Sequence, residues 1–188
     1  MQKFLIIGLG NIGAEYELTR HNIGFLLADA LADEWKVTFK NERLAAYAEA
    51  SFRGKKVYLI KPSTYMNLSG TAVRYWLKDL NIDTVNSLTL VDDLALPFGE
   101  IRIKGSGSDA GHNGLSSIQE VLGTQKYPRF RFGIGNDFEK GKQVNHVLGN
   151  WTEQEVKQLA ERIPKCIEAI KEFMLAGLDH AMSKYNGK

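Results

Sequence analysis

The chain is poor in several things, and each shortage excludes something. It has one cysteine, Cys166, in 188 residues, so no intrachain disulfide can form, which suits a reducing compartment. Cys166 lies inside a helical pattern with no glycine turn or histidine nearby in sequence, a poor setting for a nucleophile. No apolar run approaches spanning length. Phe4 to Leu9 is too short for a signal core or a membrane helix, so a soluble, cytoplasmic protein with no membrane partner is expected. Neither HExxH nor a His/Cys cluster nor an Asp-rich triplet occurs, and the potential metal ligands are scattered along the chain, so no metal is expected. No serine sits in a GxSxG elbow, which leaves a serine nucleophile without local support.

The net charge is only +2, but it is unevenly spread. Between Lys36 and Lys78 there are nine basic residues against Glu42 and Glu49, so that segment carries +7 and the remainder −5. Such asymmetry provides a local face for phosphates, although lysines scattered around a hairpin give the same count. Hydrophobic residues make up 44%, enough for a core. Without repeats or a linker, residues 1–188 read as a single domain.

Short apolar runs alternate with amphipathic helical patterns. Strands are expected at Lys3 to Gly8, Ala45 to Phe52, Lys55 to Lys61, Ser87 to Val91, Glu100 to Lys104 and Arg129 to Gly135. In the last of these, Phe130, Phe132 and Ile134 share one face, and Arg129 and Arg131 the other. Helices are expected at Ile23 to Trp35, about Ser69 to Leu80, and Leu115 to Leu122, closed by Gly123. A long helix follows the Thr152-x-x-Glu155 capping box, kinked or divided at Pro164. The fold class is therefore α/β: one domain with a mixed, twisted β-sheet flanked by helices on both faces.

Gly8-x-Gly10-x-x-Gly13 has the letters of a dinucleotide fingerprint. A polar stretch through Arg20 separates it from the next helix, so no helix N-terminus meets a pyrophosphate. The glycines read instead as a turn that lets another loop approach closely. What is present is a set of loop residues: two His-Asn steps, His21-Asn22 and His112-Asn113, together with Asn11, Asn67 and Asp92. Asn11, Asn67 and Asp92 each follow an expected strand, where ligands gather in α/β sheets. Asn22, Asn67 and Asn113 also stand where an asparagine would cap a helix. Neither His21 nor His112 falls on an apolar stripe. A histidine, a carboxylate and amides, without a nucleophile, suit attack by water on an activated acyl bond.

Several of these segments occur together and in order. They are Gly8-Leu9-Gly10-Asn11-x-Gly13-x-x-Tyr16, Thr19-Arg20-His21-Asn22-x-Gly24, Lys61-Pro62-x-x-Tyr65-Met66-Asn67-Leu68-Ser69-Gly70, Asp92-Asp93-Leu94-x-Leu96-Pro97-x-Gly99, Gly111-His112-Asn113-Gly114-Leu115, Arg129-x-Arg131-x-Gly133-Ile134-Gly135 and Val147-Leu148-Gly149. In these the chain resembles bacterial peptidyl-tRNA hydrolases over essentially its whole length. The resemblance implies hydrolysis of the ester joining a peptide to the 3′ end of tRNA, without a cofactor or an obligate protein partner, by a monomer. It implies His21 as general base, Asp92 as the group orienting it, and Asn11 as the residue that distinguishes a blocked α-amine. Tyr16, Tyr65, Asn67 and Asn113 would line the site for the peptide-bearing 3′ end. His112 is a neighbour without an assigned role. By charge, Lys104, Arg129 and Arg131 are candidate phosphate contacts.

The chain departs from the family pattern at Ile12, where proline is usual, at Val91 and Ala95 beside the Asp motif, and at Ala110, where glycine is common. None of these positions is His21, Asp92, Asn11, Asn67 or Asn113. A non-catalytic RNA-binding relative is the competing reading, opposed by the intact His21 and Asp92. A nucleotide-dependent oxidoreductase is a third, opposed by the misplaced helix.

Overall fold

The computed structural model describes residues 1–188. One sheet runs through it in the order β2-β3-β4-β1-β5-β7-β6. Its strands are β1 (Lys3–Gly8), β2 (Lys40–Glu42), β3 (Ala45–Phe52), β4 (Lys55–Pro62), β5 (Ser87–Asp93), β6 (Ile101–Lys104) and β7 (Arg129–Gly133). The central strands β4, β1, β5 and β7 are parallel, while β3 and β6 run antiparallel to their neighbours. The helices are α1 (Ile23–Glu34), α2 (Ser69–Asp79), α3 (Asn113–Leu122), α4 (Gln143–Val147), α5 (Glu153–Ala176) and α6 (Leu178–Tyr185).

The two faces of the sheet sort by strand alternation. Phe4 and Ile6 of β1 join Ile23, Leu27 and Leu31 of α1 and Ile170 and Phe173 of α5 in one core. Leu5 and Ile7 join Val73 and Trp76 of α2 and Leu115 and Ile118 of α3 in the other. Helices thus cover both faces of a mixed sheet, as the pattern predicts. No helix is long and apolar enough to cross a membrane.

Four local features differ from the sequence reading. β5 continues through Asp92 and Asp93, because both pair with β7, opposite Phe132 and Gly133; tertiary pairing overrides the poor strand propensity of aspartate. α3 begins at Asn113 rather than Leu115, since His112 caps it. α5 runs unbroken past Pro164, whose ring lies on the exposed side while Cys166, Ile167 and Ile170 hold the helix against the sheet. The long helical pattern breaks at Gly177 instead, at φ 93°. Two elements gave no sequence signal. β2 is exposed throughout, and α4 is short with no buried residue.

The close approach expected at the glycines of the first loop is present, but helix α1 makes it and not another loop. A Cβ on Gly8 would lie 2.3 Å from the Gly24 carbonyl oxygen. One on Gly24 would lie 2.4 Å from Leu90 O and 2.5 Å from Leu9 N. Helix α1 therefore rests directly on the ends of β1 and β5, and the turn before it (Arg20–Asn22) is set over the carboxyl edge of the sheet.

Candidate active site

Asp92 lies near the carboxyl end of β5, buried, with 4% of its surface exposed. The turn ahead of α1 brings His21 to it: Nδ1 lies 2.9 Å from Asp92 Oδ1 and 3.0 Å from Oδ2. From the other side comes His112, at the start of α3, with Nε2 at 2.8 Å from Oδ1. The ring centroids of the two histidines are 4.9 Å apart. Burial by itself would raise the Asp92 pKa. The charges and hydrogen bonds of His112 and His21 outweigh it and hold the carboxyl below the usual carboxylate range.

His21, Asp92, His112 and Asn113 face a cavity of about 400 Å³. Its polar wall continues through Asp93, Asp109 and Arg131, and its apolar wall through Phe138, Val144 and Val147. His21 Nε2 and the Asn113 side-chain amide have no hydrogen-bond partner within the protein. The arrangement offers an imidazole nitrogen with a free lone pair, beside an amide that can donate to an oxyanion.

Asn11 reaches the site through its neighbours. Its Oδ1 accepts from Met66 N at 2.8 Å, which pins the 65–68 loop to the end of β1. Its backbone is gripped by Asn22, whose Oδ1 accepts from Asn11 N and whose Nδ2 donates to Asn11 O, both at 2.9 Å. Asn22 stands at the N-cap of α1 but makes no capping bond; its amide is spent tying His21's segment to Asn11. Asn67 sits in a turn (Met66–Leu68) and is exposed, as is Tyr65, while Tyr16 is half-buried. None of Asn11, Tyr16, Tyr65 and Asn67 lines the cavity that His21 faces. The set expected as one site therefore divides into a cavity group and a group on the adjoining loops.

Two expectations are overturned. Arg129 is fully buried. Its guanidinium donates to the carbonyls of Gln125, Tyr127, Gly107 and Ser108 and packs on the Tyr127 ring, so it braces the 105–109 loop and has no donor left for a phosphate. Arg131, 7% exposed, donates to Ser108 O and lies 3.5 Å from Asp93 Oδ2 in the cavity wall. The second correction concerns scattered metal ligands: the fold gathers His21, Asp92 and His112 so that their ligand atoms lie within 4.8 Å of one another.

A sequence model of the family described as peptidyl-tRNA hydrolase matches residues 5–188. The chain belongs to the peptidyl-tRNA hydrolase family. The peptidyl-tRNA hydrolase of Phocaeicola vulgatus is 55% identical over 186 residues, covering 99% of this chain and 100% of that protein. That of Porphyromonas gingivalis is 52% identical over 184 residues, with 98% and 100% covered. The crystal structure of peptidyl-tRNA hydrolase from Acinetobacter baumannii aligns with a TM-score of 0.90 at 34% identity, covering 98% of this chain and 96% of that one. As a member of this family the protein is a hydrolase acting on ester bonds.

Sequence reasoning passed over one framework of this peptidyl-tRNA hydrolase fold. Arg20, beside His21, is buried and paired with Glu155 at 2.8 Å, and its Nη1 donates to His146 O at 3.0 Å. Burial acts to raise the Glu155 pKa, but the Arg20 hydrogen bond and charge leave it lowered. The segment carrying His21 is thus fastened to α4, which supplies Val144 and Val147 to the cavity wall. The capping box flagged Glu155, but nothing in the sequence signalled a partner 135 residues away.

Proposed function

We propose that this protein cleaves the ester between a peptide and the 3′ end of tRNA by base-assisted attack of water, with His21 and Asp92 as the working pair. The observation that carries the reading is a histidine whose Nδ1 is held by a buried carboxylate at 2.9 Å while its Nε2 is left free beside a cavity. In the reaction, His21 Nε2 takes a proton from water as the oxygen attacks the ester carbonyl carbon. Asp92 stabilises the imidazolium that forms. The Asn113 amide donates to the carbonyl oxygen as it becomes an oxyanion. Collapse of the tetrahedral intermediate breaks the bond to the ribose 3′ oxygen, which receives the proton from His21. The products are a free peptide carboxylate and a tRNA ready for recharging.

Asn11 distinguishes an acylated α-nitrogen from a free ammonium. Its Oδ1 is committed to Met66 N, which leaves Nδ2 to donate to a substrate carbonyl. Tyr16, Tyr65 and Asn67 form the approach for the peptide and the terminal nucleotide. General base catalysis supplies about 10²–10⁴-fold, so positioning and oxyanion stabilisation carry the rest. The enzyme works as a cytoplasmic monomer on residues 1–188, without a metal or cofactor.

The test is cleavage of N-acetyl-aminoacyl-tRNA at neutral pH, with and without EDTA, against free aminoacyl-tRNA as control. The expected result is chelator-independent release of the acyl group from the blocked substrate only, abolished by His21→Ala. Full turnover by His21→Ala would remove His21 as the base. Tight tRNA binding without cleavage by the wild type would favour a non-catalytic RNA-binding role.

A further inference from the structure

Asp92 is flanked by two imidazoles whose remaining nitrogens face opposite demands. His112 is the N-cap of α3, and its Nδ1 accepts from the backbone N–H of Gly114 at 3.0 Å and of Leu115 at 3.3 Å. Those are the free amide donors of a helix start. A nitrogen that accepts cannot carry the ring hydrogen, so in the neutral ring the hydrogen is on Nε2, donated to Asp92 Oδ1 at 2.8 Å. His21 meets the same carboxylate through Nδ1. A carboxylate only accepts, so that Nδ1 carries the hydrogen and Nε2 the lone pair.

We propose that His112 is a positioning residue for the hydrolytic reaction: the start of α3 locks it as an Nε2–H donor, and it fixes Asp92 so that His21 is held in the opposite, Nδ1–H tautomer. This rests on the reading of His21 as the base. The two imidazoles are the only groups hydrogen-bonded to the Asp92 side chain, with no backbone N–H or hydroxyl to steady it. Remove His112 and Asp92 Oδ1 loses one of its two imidazole partners, leaving the carboxylate held by His21 alone and freer to turn about its Cβ–Cγ bond. The ring of His112 is itself confined. A Cβ on Gly114 would lie 3.0 Å from its Cε1 and 2.7 Å from Leu9 Cδ1 and Met66 Sδ, so glycine at that position lets the ring sit over the helix start.

The lock has two consequences. With its lone pair committed to the helix, His112 does not serve as a second base. Nor does it ligate a metal through Nε2, although three potential ligands converge here. Such a bond would move the hydrogen to Nδ1, against two backbone donors.

Two measurements on the full chain test this. Imidazole ¹⁵N NMR, with His112 assigned by its loss in His112→Asn, reads the tautomers directly. The expected spectrum has a pyridine-type Nδ1 for His112 and a pyridine-type Nε2 for His21; a protonated Nδ1 in neutral His112 overturns the lock. The second measurement is kinetic. Asparagine is a good helix cap but is too short to reach Asp92 as well, so His112→Asn separates capping from positioning. The expected outcome is an unchanged melting temperature with kcat reduced on the order of 10²-fold and KM little altered. Wild-type kcat in a folded His112→Asn protein overturns the positioning role. If the wild type does not cleave blocked aminoacyl-tRNA, the functional reading and the positioning role fall together, while the NMR result still decides the tautomer lock.

Discussion

Replacing Asp92 by asparagine is the sharpest perturbation of the site, because it keeps the shape and inverts one hydrogen bond. A carboxylate accepts from both imidazoles, whereas an amide presents one acceptor and one donor. His112, committed as a donor by Gly114 N and Leu115 N, claims the amide oxygen. The amide NH₂ is then left facing His21 Nδ1, within about 3 Å on the present geometry. Facing that N–H donor, Nδ1 is expected to accept in preference to sharing the amide oxygen at 2.9 Å with His112, so the ring hydrogen moves to Nε2 and the lone pair directed at the cavity is lost. A tautomer inversion of this kind lowers kcat on the order of 10⁴-fold in a serine hydrolase triad, equivalent to about 5.5 kcal/mol of barrier. Stability should change little, because both amide groups keep partners. The assay is single-turnover cleavage of N-acetyl-aminoacyl-tRNA, with thermal unfolding followed in parallel. A folded Asp92→Asn protein retaining more than a tenth of wild-type turnover would refute the reasoning. So would a ¹⁵N spectrum in which His21 keeps its Nδ1 hydrogen.

Three further outcomes are expected. Burial pushes the Cys166 thiol up to about 12, and the residue is fully enclosed. Ellman's reagent should therefore not label the native protein between pH 7 and about pH 9, where a free cysteine with a pKa near 8.5 reacts increasingly, but should label one thiol per chain in guanidinium; labelling of folded protein would show the α5 packing to be wrong. Ala110 is held in the left-handed region at φ 51°, at a cost of about 1–2 kcal/mol for a non-glycine residue, so Ala110→Gly should raise the midpoint of chemical denaturation, and a lowered midpoint would count against that strain. Gly24→Ala would drive a Cβ to within 2.5 Å of the Leu9 backbone just after β1 and of the Leu90 carbonyl oxygen in β5, lifting α1 and the turn that carries His21. A loss of about 1–3 kcal/mol in stability is expected, together with a fall in kcat, and a variant with neither would contradict the close packing.

The strands β1, β3 and β4 and the helices α1 and α2 were legible because their apolar residues recur with a clear period. β2 was not, since an exposed three-residue edge strand has no period, and α4 was not, since none of its residues is buried. The turn glycines were read correctly as points of close approach because the following helix begins only at Ile23. Of the two β7 arginines, Arg129 misled. Alternation placed them on one face, but a charge pattern does not reveal whether that face meets solvent or, as for Arg129, a loop whose carbonyls consume the guanidinium.

By itself the sequence determined the α/β class, the absence of a disulfide, and the family, because ordered motifs and hydrophobic periods are properties of the chain alone. It also put His21, Asp92, Asn11 and Asn113 forward as site residues. Only the tertiary structure decided how they divide. Asp92 acquires its two imidazoles from segments 71 residues before it and 20 after it. The tautomer of each ring depends on what its second nitrogen meets across that gap. Hydrogen-bond direction is fixed by partners in space, and nothing in the order of residues specifies them.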